Sequence, residues 1–329
     1  MMLVSRETSL GTCPFPFFKE PCVIKPKIII IETTSDCNLH CANCYRSKES
    51  ITPSYMSLEL FKSLIDQIDW PCYVAPFSYG EPFLHPDFAL MLDYCAYKKV
   101  KVAFSTNGTL LREDVLETCF NNPSNIKQIC VSLDGFYPAT RTALRGLRSS
   151  QAPTFFVEGL LQRNTSLPEE QRIRLAVSLV KMGQSQEEIE LFIYFWLQEG
   201  VDMVLIRNIL DLNPLSLPLQ KEECFHLTGR VMTVKANGKA SLCEHYARHI
   251  ETGNVEIRSL LDIYNSGMRS IREDFPTTLC QKCPIPYNGS GFYGSVRLKG
   301  SILNREIFLK TDYYNSIYSF KDVREGTSW

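Results

Sequence analysis

The sequence predicts an α/β protein, an open (β/α)6 partial barrel followed by a small α+β domain. Three observations carry this expectation. Short apolar strands alternate with helical segments from Lys27 to about Asn208, and such alternation makes parallel strands joined by right-handed crossovers. Six strand–helix units are present, too few for the eight of a closed barrel. After Pro214 the alternation gives way to a hairpin and a single helix.

The strands are expected at Ile28–Ile31, Tyr73–Phe77, Val100–Phe104, Ile129–Leu133, Ile173–Val180 and Val201–Ile206. Between the first two, Leu58, Phe61, Leu64, Ile65 and Ile68 recur at helical spacing. Pro86 suits a first helical turn. Ser185 and Glu188 read as a capping box ahead of Ile189–Leu197, and Gly200 ends that helix. Arg230–Lys235 and Lys239–Leu242 read as two strands joined by Ala236-Asn237-Gly238, since Asn-Gly is a strong hairpin signal. An amphipathic helix is expected around Ile257–Met268. These elements divide the chain into an extension at 1–26, a core at 27–213, a second domain at 214–295 and a segment at 296–329. That last stretch is rich in Tyr, Phe and Gly and carries no recognisable motif.

The 329 residues are 44% hydrophobic, enough for a sizeable core. Lys plus Arg number 35 and Asp plus Glu 36, so the balance does not suggest an electrostatic nucleic-acid binder. No apolar stretch approaches the ~20 residues needed to cross a bilayer. Met1 to Leu10 lacks the apolar core of a signal peptide. A cytosolic location is the expectation, with no membrane and no nucleic-acid partner.

Thirteen cysteines in such a chain call for a metal before a disulfide. Cys37, Cys41 and Cys44 form a C-x3-C-x2-C loop just after the first strand. Three thiolates can hold three corners of a four-iron cluster, whose usual complement is four cysteines. The remaining iron can then bind and activate a small molecule. Cys224 and Cys243 flank the hairpin, and Cys280 and Cys283 follow as C-x2-C. Four thiolates make a closed site that suits iron–sulfur or zinc. Of the rest, Cys95, Cys119 and Cys130 lie in apolar patterns and read as core, as does Cys72. Cys13 and Cys22 fall in a segment without periodicity.

Active sites of parallel α/β barrels lie at the C-terminal strand ends. The cysteine trio follows strand one, Gly80-Glu81-Pro82 strand two and Ser105-Thr106-Asn107-Gly108 strand three, while Ser132-Leu133-Asp134-Gly135 ends strand four. All four are expected on one rim. Glu81 can accept from an ammonium group, Gly80 permits close backbone approach, and Pro82 stiffens the turn.

The cysteine loop resembles that of the radical S-adenosylmethionine (radical SAM) superfamily, whose fold is a partial TIM barrel. Gly80-Glu81-Pro82 matches the family's GEP stretch, which contacts the SAM methionine amine. Ser132 and Asp134 match its S-x-D-G stretch, which implies ribose or methionine contacts. Arg145 is implied as a partner of the methionine carboxylate, and Asn107 joins the cofactor-binding candidates. Asn43 stands where members often carry an aromatic residue against adenine, so side-chain stacking there is not implied.

Cys224, Cys243, Cys280 and Cys283 resemble the ligands of the twitch domain, a shortened SPASM domain with one auxiliary [4Fe–4S] cluster. Gly253-Asn254-Val255, Ser259-Leu260 and Tyr264-Asn265-Ser266 resemble the region between its cysteine pairs. No cysteine follows Cys283, so a second auxiliary cluster is not expected. The resemblance implies that a [4Fe–4S] cluster held by Cys37, Cys41 and Cys44 reductively cleaves SAM. The 5′-deoxyadenosyl radical formed takes hydrogen from a substrate C–H, and the auxiliary cluster assists oxidation or crosslinking. A flavodoxin- or ferredoxin-type reductant is implied. Thirty-six residues precede Cys37, which leans toward a small molecule, or a peptide delivered by a partner. Relatives with this domain pair include sugar-alcohol dehydrogenases and modifiers of ribosomal peptides. The alternative is a non-catalytic zinc or iron–sulfur binding protein with structural cysteine sites.

Overall fold

A computed structural model describes residues 23–42, 44–48, 51–149, 151–208, 231–241 and 251–273. Nine strands form one sheet in the order β6-β5-β4-β3-β2-β1-β7-β8-β9. They are β1 (Ile28–Ile31), β2 (Tyr73–Ala75), β3 (Lys101–Thr106), β4 (Ile126–Ser132), β5 (Arg174–Lys181), β6 (Met203–Asn208), β7 (Val231–Val234), β8 (Lys239–Ser241) and β9 (Gly253–Asn254). Strands β1 to β6 pair in parallel, each with the next. This is the expected six-stranded parallel core.

The helices are α1 (Tyr45–Lys48), α2 (Leu58–Asp66), α3 (Phe88–Tyr97), α4 (Glu113–Asn121), α5 (Pro138–Arg145), α6 (Ala152–Thr165), α7 (Gln186–Gln198) and α8 (Leu260–Glu273). Both α5 and α6 lie in the crossover from β4 to β5. The large core lies between sheet and helices and includes Ile29, Phe61, Leu64, Met91, Phe104, Val131, Phe192 and Trp196. A smaller cluster of Ile28, Ile30, Ala75, Ala103, Cys130, Ala176 and Leu205 fills the barrel interior. All four residues of β1 are buried because a parallel strand is covered on both faces. Cys95, Cys119 and Cys130 are fully buried and Cys72 packs against the core, as apolar cysteines do.

Several boundaries differ from expectation for local reasons. Strand β2 stops at Ala75, because Pro76 has no N–H for the ladder. Strand β4 starts three residues early, opposite a register shift at Val102/Ala103. Pro86 lies before α3, in the turn leading to its N-cap Asp87. Ser185 caps α7 by accepting from the Glu188 N–H at 3.1 Å. The other half of the capping box does not form. Glu188 instead accepts at one oxygen from the N–H groups of Phe136 (3.0 Å) and Tyr137 (3.2 Å), and at the other from Thr140 Oγ1 (3.2 Å). Its carboxylate thus caps the entry to α5, taking the N–H of the N-cap residue Tyr137 and of Phe136 before it.

The hairpin forms as expected, with antiparallel β7 and β8 and a turn in which Gly238 has φ 78°. Strand β7 also pairs in parallel with β1, so the partial barrel's sheet runs on into the hairpin. Helix α8 begins at Leu260, where the Ser259 hydroxyl accepts from Asp262 N at 3.1 Å. Its Leu260, Ile263 and Tyr264 are buried.

Candidate active site

The cysteine loop leaves β1 at Ile31 and is stapled at its start. Asp36 accepts from Cys37 N (2.8 Å), Arg46 Nη2 (3.0 Å) and Tyr55 Oη (2.7 Å). Arg46 also donates to the Ser35 carbonyl at 2.6 Å and the Cys37 carbonyl at 3.4 Å. Neither Asp36 nor Arg46 was singled out in the sequence. Their nearness to the trio, one residue before Cys37 and two after Cys44, is the signal they offer.

Cys37, Cys41 and Cys44 are all half-buried and carry free thiols. The Cys37 sulfur accepts from Leu39 N at 3.5 Å and Asn107 Nδ2 at 3.9 Å. The Cys41 thiol donates to the Arg145 carbonyl at 3.8 Å. Burial pushes the Cys37 thiol up to about 11 and also raises Cys41. A bound cation must displace those protons. Among the described residues, no three His, Cys, Asp or Glu side chains converge to hold one ion. A four-iron cluster needs no such point, because each thiolate ligates its own iron.

Gly80 presses against the chain itself. A Cβ there would lie 2.0 Å from the Thr34 carbonyl oxygen and 2.7 Å from that of Asp36. Glycine is required for contact between this turn and the root of the cysteine loop. Glu81 N donates to the Asp36 carbonyl at 2.7 Å across the same seam. The Glu81 side chain is 2% exposed. Its oxygens accept from Thr106 Oγ1 (2.7 Å), Asn107 N (2.7 Å) and Phe83 N (3.1 Å). Burial raises its carboxyl, opposed by these donors. Pro82 opens the short turn Pro82–Leu84, which Glu81 caps.

Asp134 holds an uncommon left-handed conformation, φ 61°. Its carboxylate accepts from Val180 N at 2.9 Å and from Arg145 Nη1 at 2.5 Å, a pair almost wholly buried. Arg145 Nε is buried with no hydrogen-bond partner. Ser132 Oγ lies 3.3 Å from Ser105 Oγ and 3.4 Å from Ser178 Oγ, a row of hydroxyls across β3, β4 and β5.

The four strand ends thus meet on one rim, as the sequence predicted. The residues differ in how they serve it. Glu81 and Asp134 lock adjacent loops together, while Ser132 and the Arg145 guanidinium carry polar groups at the rim. His40 is exposed. Asn43, Cys224, Cys243, Cys280 and Cys283 lie outside the described residues. So do Cys13, Cys22 and the segment from 296 onward.

The donor set fits an iron–sulfur cluster. Thiols are its ligands, N–H donors already face a sulfur, and an orphaned guanidinium N–H suits an anionic group beside them. A parallel partial barrel with this rim defines a class: an iron–sulfur enzyme that works at its strand ends.

The comparisons give the family. Residues 31–152 match the radical SAM superfamily, and residues 224–284 match the SPASM iron–sulfur cluster-binding domain. The subtilosin biosynthesis protein AlbA of Bacillus subtilis, named for an antilisterial bacteriocin, is 26% identical over 336 aligned residues. The match covers 91% of this chain and 71% of AlbA. Mycofactocin maturase MftC of Mycobacterium tuberculosis is 30% identical over 125 residues, 38% of this chain and 32% of MftC. The crystal structure of SuiB of Streptococcus suis superposes with a TM-score of 0.63 at 15% identity, covering 82% of this chain and 73% of SuiB. That likeness is one of fold. The chain belongs to the radical SAM superfamily and carries a C-terminal SPASM domain. It is a SAM-dependent radical enzyme with a [4Fe–4S] cluster and an auxiliary iron–sulfur site. The reading as a non-catalytic zinc module falls with this match.

Proposed function

We propose that the chain modifies a peptide substrate by radical chemistry at the barrel rim. The observation that carries the site is the convergence of the Cys37/Cys41/Cys44 loop with the turns at Glu81, Asn107 and Asp134. The substrate class is supported by AlbA, similar along 91% of this chain and named for bacteriocin biosynthesis. SuiB, which shares the fold, has also been crystallised with the precursor peptide SuiA. The small-molecule reading has weaker support, a lower TM-score of 0.52 to BtrN in complex with AdoMet and 2-DOIA.

Cys37, Cys41 and Cys44 would hold the first cluster, and Cys224, Cys243, Cys280 and Cys283 the auxiliary one. The domain limits near 27–213 and 214–295 follow that division. With SAM bound, the first cluster supplies the 5′-deoxyadenosyl radical. The protein's part is to bind, orient and shield. Arg145, held by Asp134 and with Nε free for an acceptor, would take the methionine carboxylate. The Glu81 oxygens already serve three donors. The methionine amine therefore falls to the main chain of the Gly80-Glu81-Pro82 turn, with Glu81 as its support. Ser132 would meet a SAM hydroxyl. A flavodoxin- or ferredoxin-type reductant in the cytosol would deliver the electron. Among the described residues no helix is long and apolar enough to cross a membrane.

Anaerobic incubation of the reduced enzyme with SAM and synthetic precursor peptides tests this. A peptide that stimulates 5′-deoxyadenosine release and itself loses hydrogen mass supports the reading. Stimulation by aminocyclitols but by no peptide would refute the substrate class.

A further inference from the structure

We propose that Asn107 couples the SAM-binding turn to the cluster. It would do so through a side-chain amide locked in place by a three-residue hydrogen-bond ring. This rests on the cluster assignment above and adds a positioning residue to it.

The ring is closed. Asn107 Nδ2 donates to Asn38 Oδ1 at 2.8 Å, and Asn38 Nδ2 donates to Thr109 Oγ1 at 2.8 Å. Thr109 Oγ1 donates to Asn107 Oδ1 at 2.6 Å. Thr109 N also donates to Asn107 Oδ1 at 2.8 Å. A backbone N–H can only donate, so the oxygen end of the amide must face Thr109. The NH2 end then faces the cysteine loop, where it lies 3.9 Å from Cys37 Sγ. Each member of such a ring polarises the next, which stiffens the arrangement.

Asn38 follows Cys37 directly, whereas Asn107 and Thr109 belong to the loop after β3. The ring therefore ties two separate loops together. Asn107 also reaches the third, since its main-chain N–H donates to Glu81 Oε2 at 2.7 Å. At 5% exposure it sits between the Glu81 carboxylate and the Cys37 sulfur. One residue thus touches the support of the SAM turn with its backbone and a ligand sulfur with its side chain.

Hydrogen bonds to ligand sulfurs are among the factors that set iron–sulfur potentials. An N–H···S bond withdraws charge from the sulfur and favours the reduced cluster. Removing it makes reduction harder. A residue that only filled space would leave the potential alone.

The test is an EPR-monitored redox titration of the anaerobically reconstituted full chain, with and without SAM. N107L loses the donor and breaks the ring, and its first-cluster potential is expected at a more negative value than wild type. T109V keeps the Asn107 amide and its own N–H but opens the ring, and a smaller shift in the same direction is expected. If N107L assembles no cluster, T109V decides alone. Wild-type potentials in both variants, or in T109V where N107L does not assemble, would overturn the coupling role. A wild-type chain that binds no iron at the trio would instead sink the cluster assignment itself.

Discussion

Asp134 and Arg145 meet as a buried ion pair, with Nη1 2.5 Å from Oδ2 and both side chains under a tenth exposed. The pair links the left-handed turn that ends β4 to the last turn of α5. Removing one partner of a buried pair leaves an uncompensated charge, a loss of about 3–5 kcal/mol. Arg145→Ala is expected to lose stability by that margin, with a lower urea midpoint, and to weaken SAM binding. Arg145→Lys keeps the charge but loses the planar fork, so SAM binding should fall with a smaller stability loss. Urea titration and SAM calorimetry on both variants check this. Wild-type stability in Arg145→Ala would show that the pair does not hold the turn.

Glu188 acts at a distance. It caps the start of α5, and the far end of α5 touches the cysteine loop, where Ala42 N donates to the Leu144 carbonyl at 2.9 Å. Glu188→Ala strands two main-chain donors, one on half-buried Phe136 and one on exposed Tyr137, so the loss is expected at about 1 kcal/mol, the low end of the range for an unmet donor. Glu188→Gln keeps acceptor oxygens and is expected to lose less. Thermal unfolding ranks the three proteins, and equal losses in both variants would contradict the capping role.

The two cysteine groups are expected to fail differently. Cys41→Ala should abolish 5′-deoxyadenosine formation on reduction. Cys280→Ala should still cleave SAM but leave substrate unmodified. Product analysis by mass spectrometry separates the two. Loss of SAM cleavage in a folded Cys280→Ala chain would mean the labour is not so divided.

His85 makes stability depend on pH. Its ring sits between Asp87 N, which donates to Nδ1 at 3.0 Å, and the Met56 carbonyl, 2.8 Å from Nε2. Nδ1 must accept, so the neutral ring with hydrogen on Nε2 fits the site. Burial holds its pKa below the usual value. The unfolded chain then binds the proton more readily, so stability rises with pH. The contribution is complete above about pH 6.5 and is lost as pH falls from there through the folded value. Urea midpoints of wild type and His85→Gln, compared from about pH 8 to about pH 5, should converge toward the acid end. A constant gap would refute the role of His85.

Strand–helix alternation made the partial barrel legible, and the cysteine spacing marked the loop at its first strand end, because apolar runs and thiol triplets are local patterns. The rim also followed, since residues after successive parallel strands must share an edge. What stayed hidden depends on contacts between distant segments. The place of Glu188 beneath α5, the Asn38–Asn107–Thr109 ring, and the union of β1 with β7 all span long stretches of chain. The Gly80-Glu81-Pro82 pattern marked a turn on that rim, where the glycine meets the chain's own carbonyls and the carboxylate serves its own loops. Spacing shows where a group stands. Its partners are set by packing.

The cluster assignment is tested most directly by the metal content of the anaerobically purified full chain, with iron, sulfide and zinc measured together. About eight irons and matching sulfide, with little zinc, is the expected result for two four-iron clusters. Zinc without iron after anaerobic reconstitution would contradict a radical SAM enzyme built on Cys37, Cys41 and Cys44.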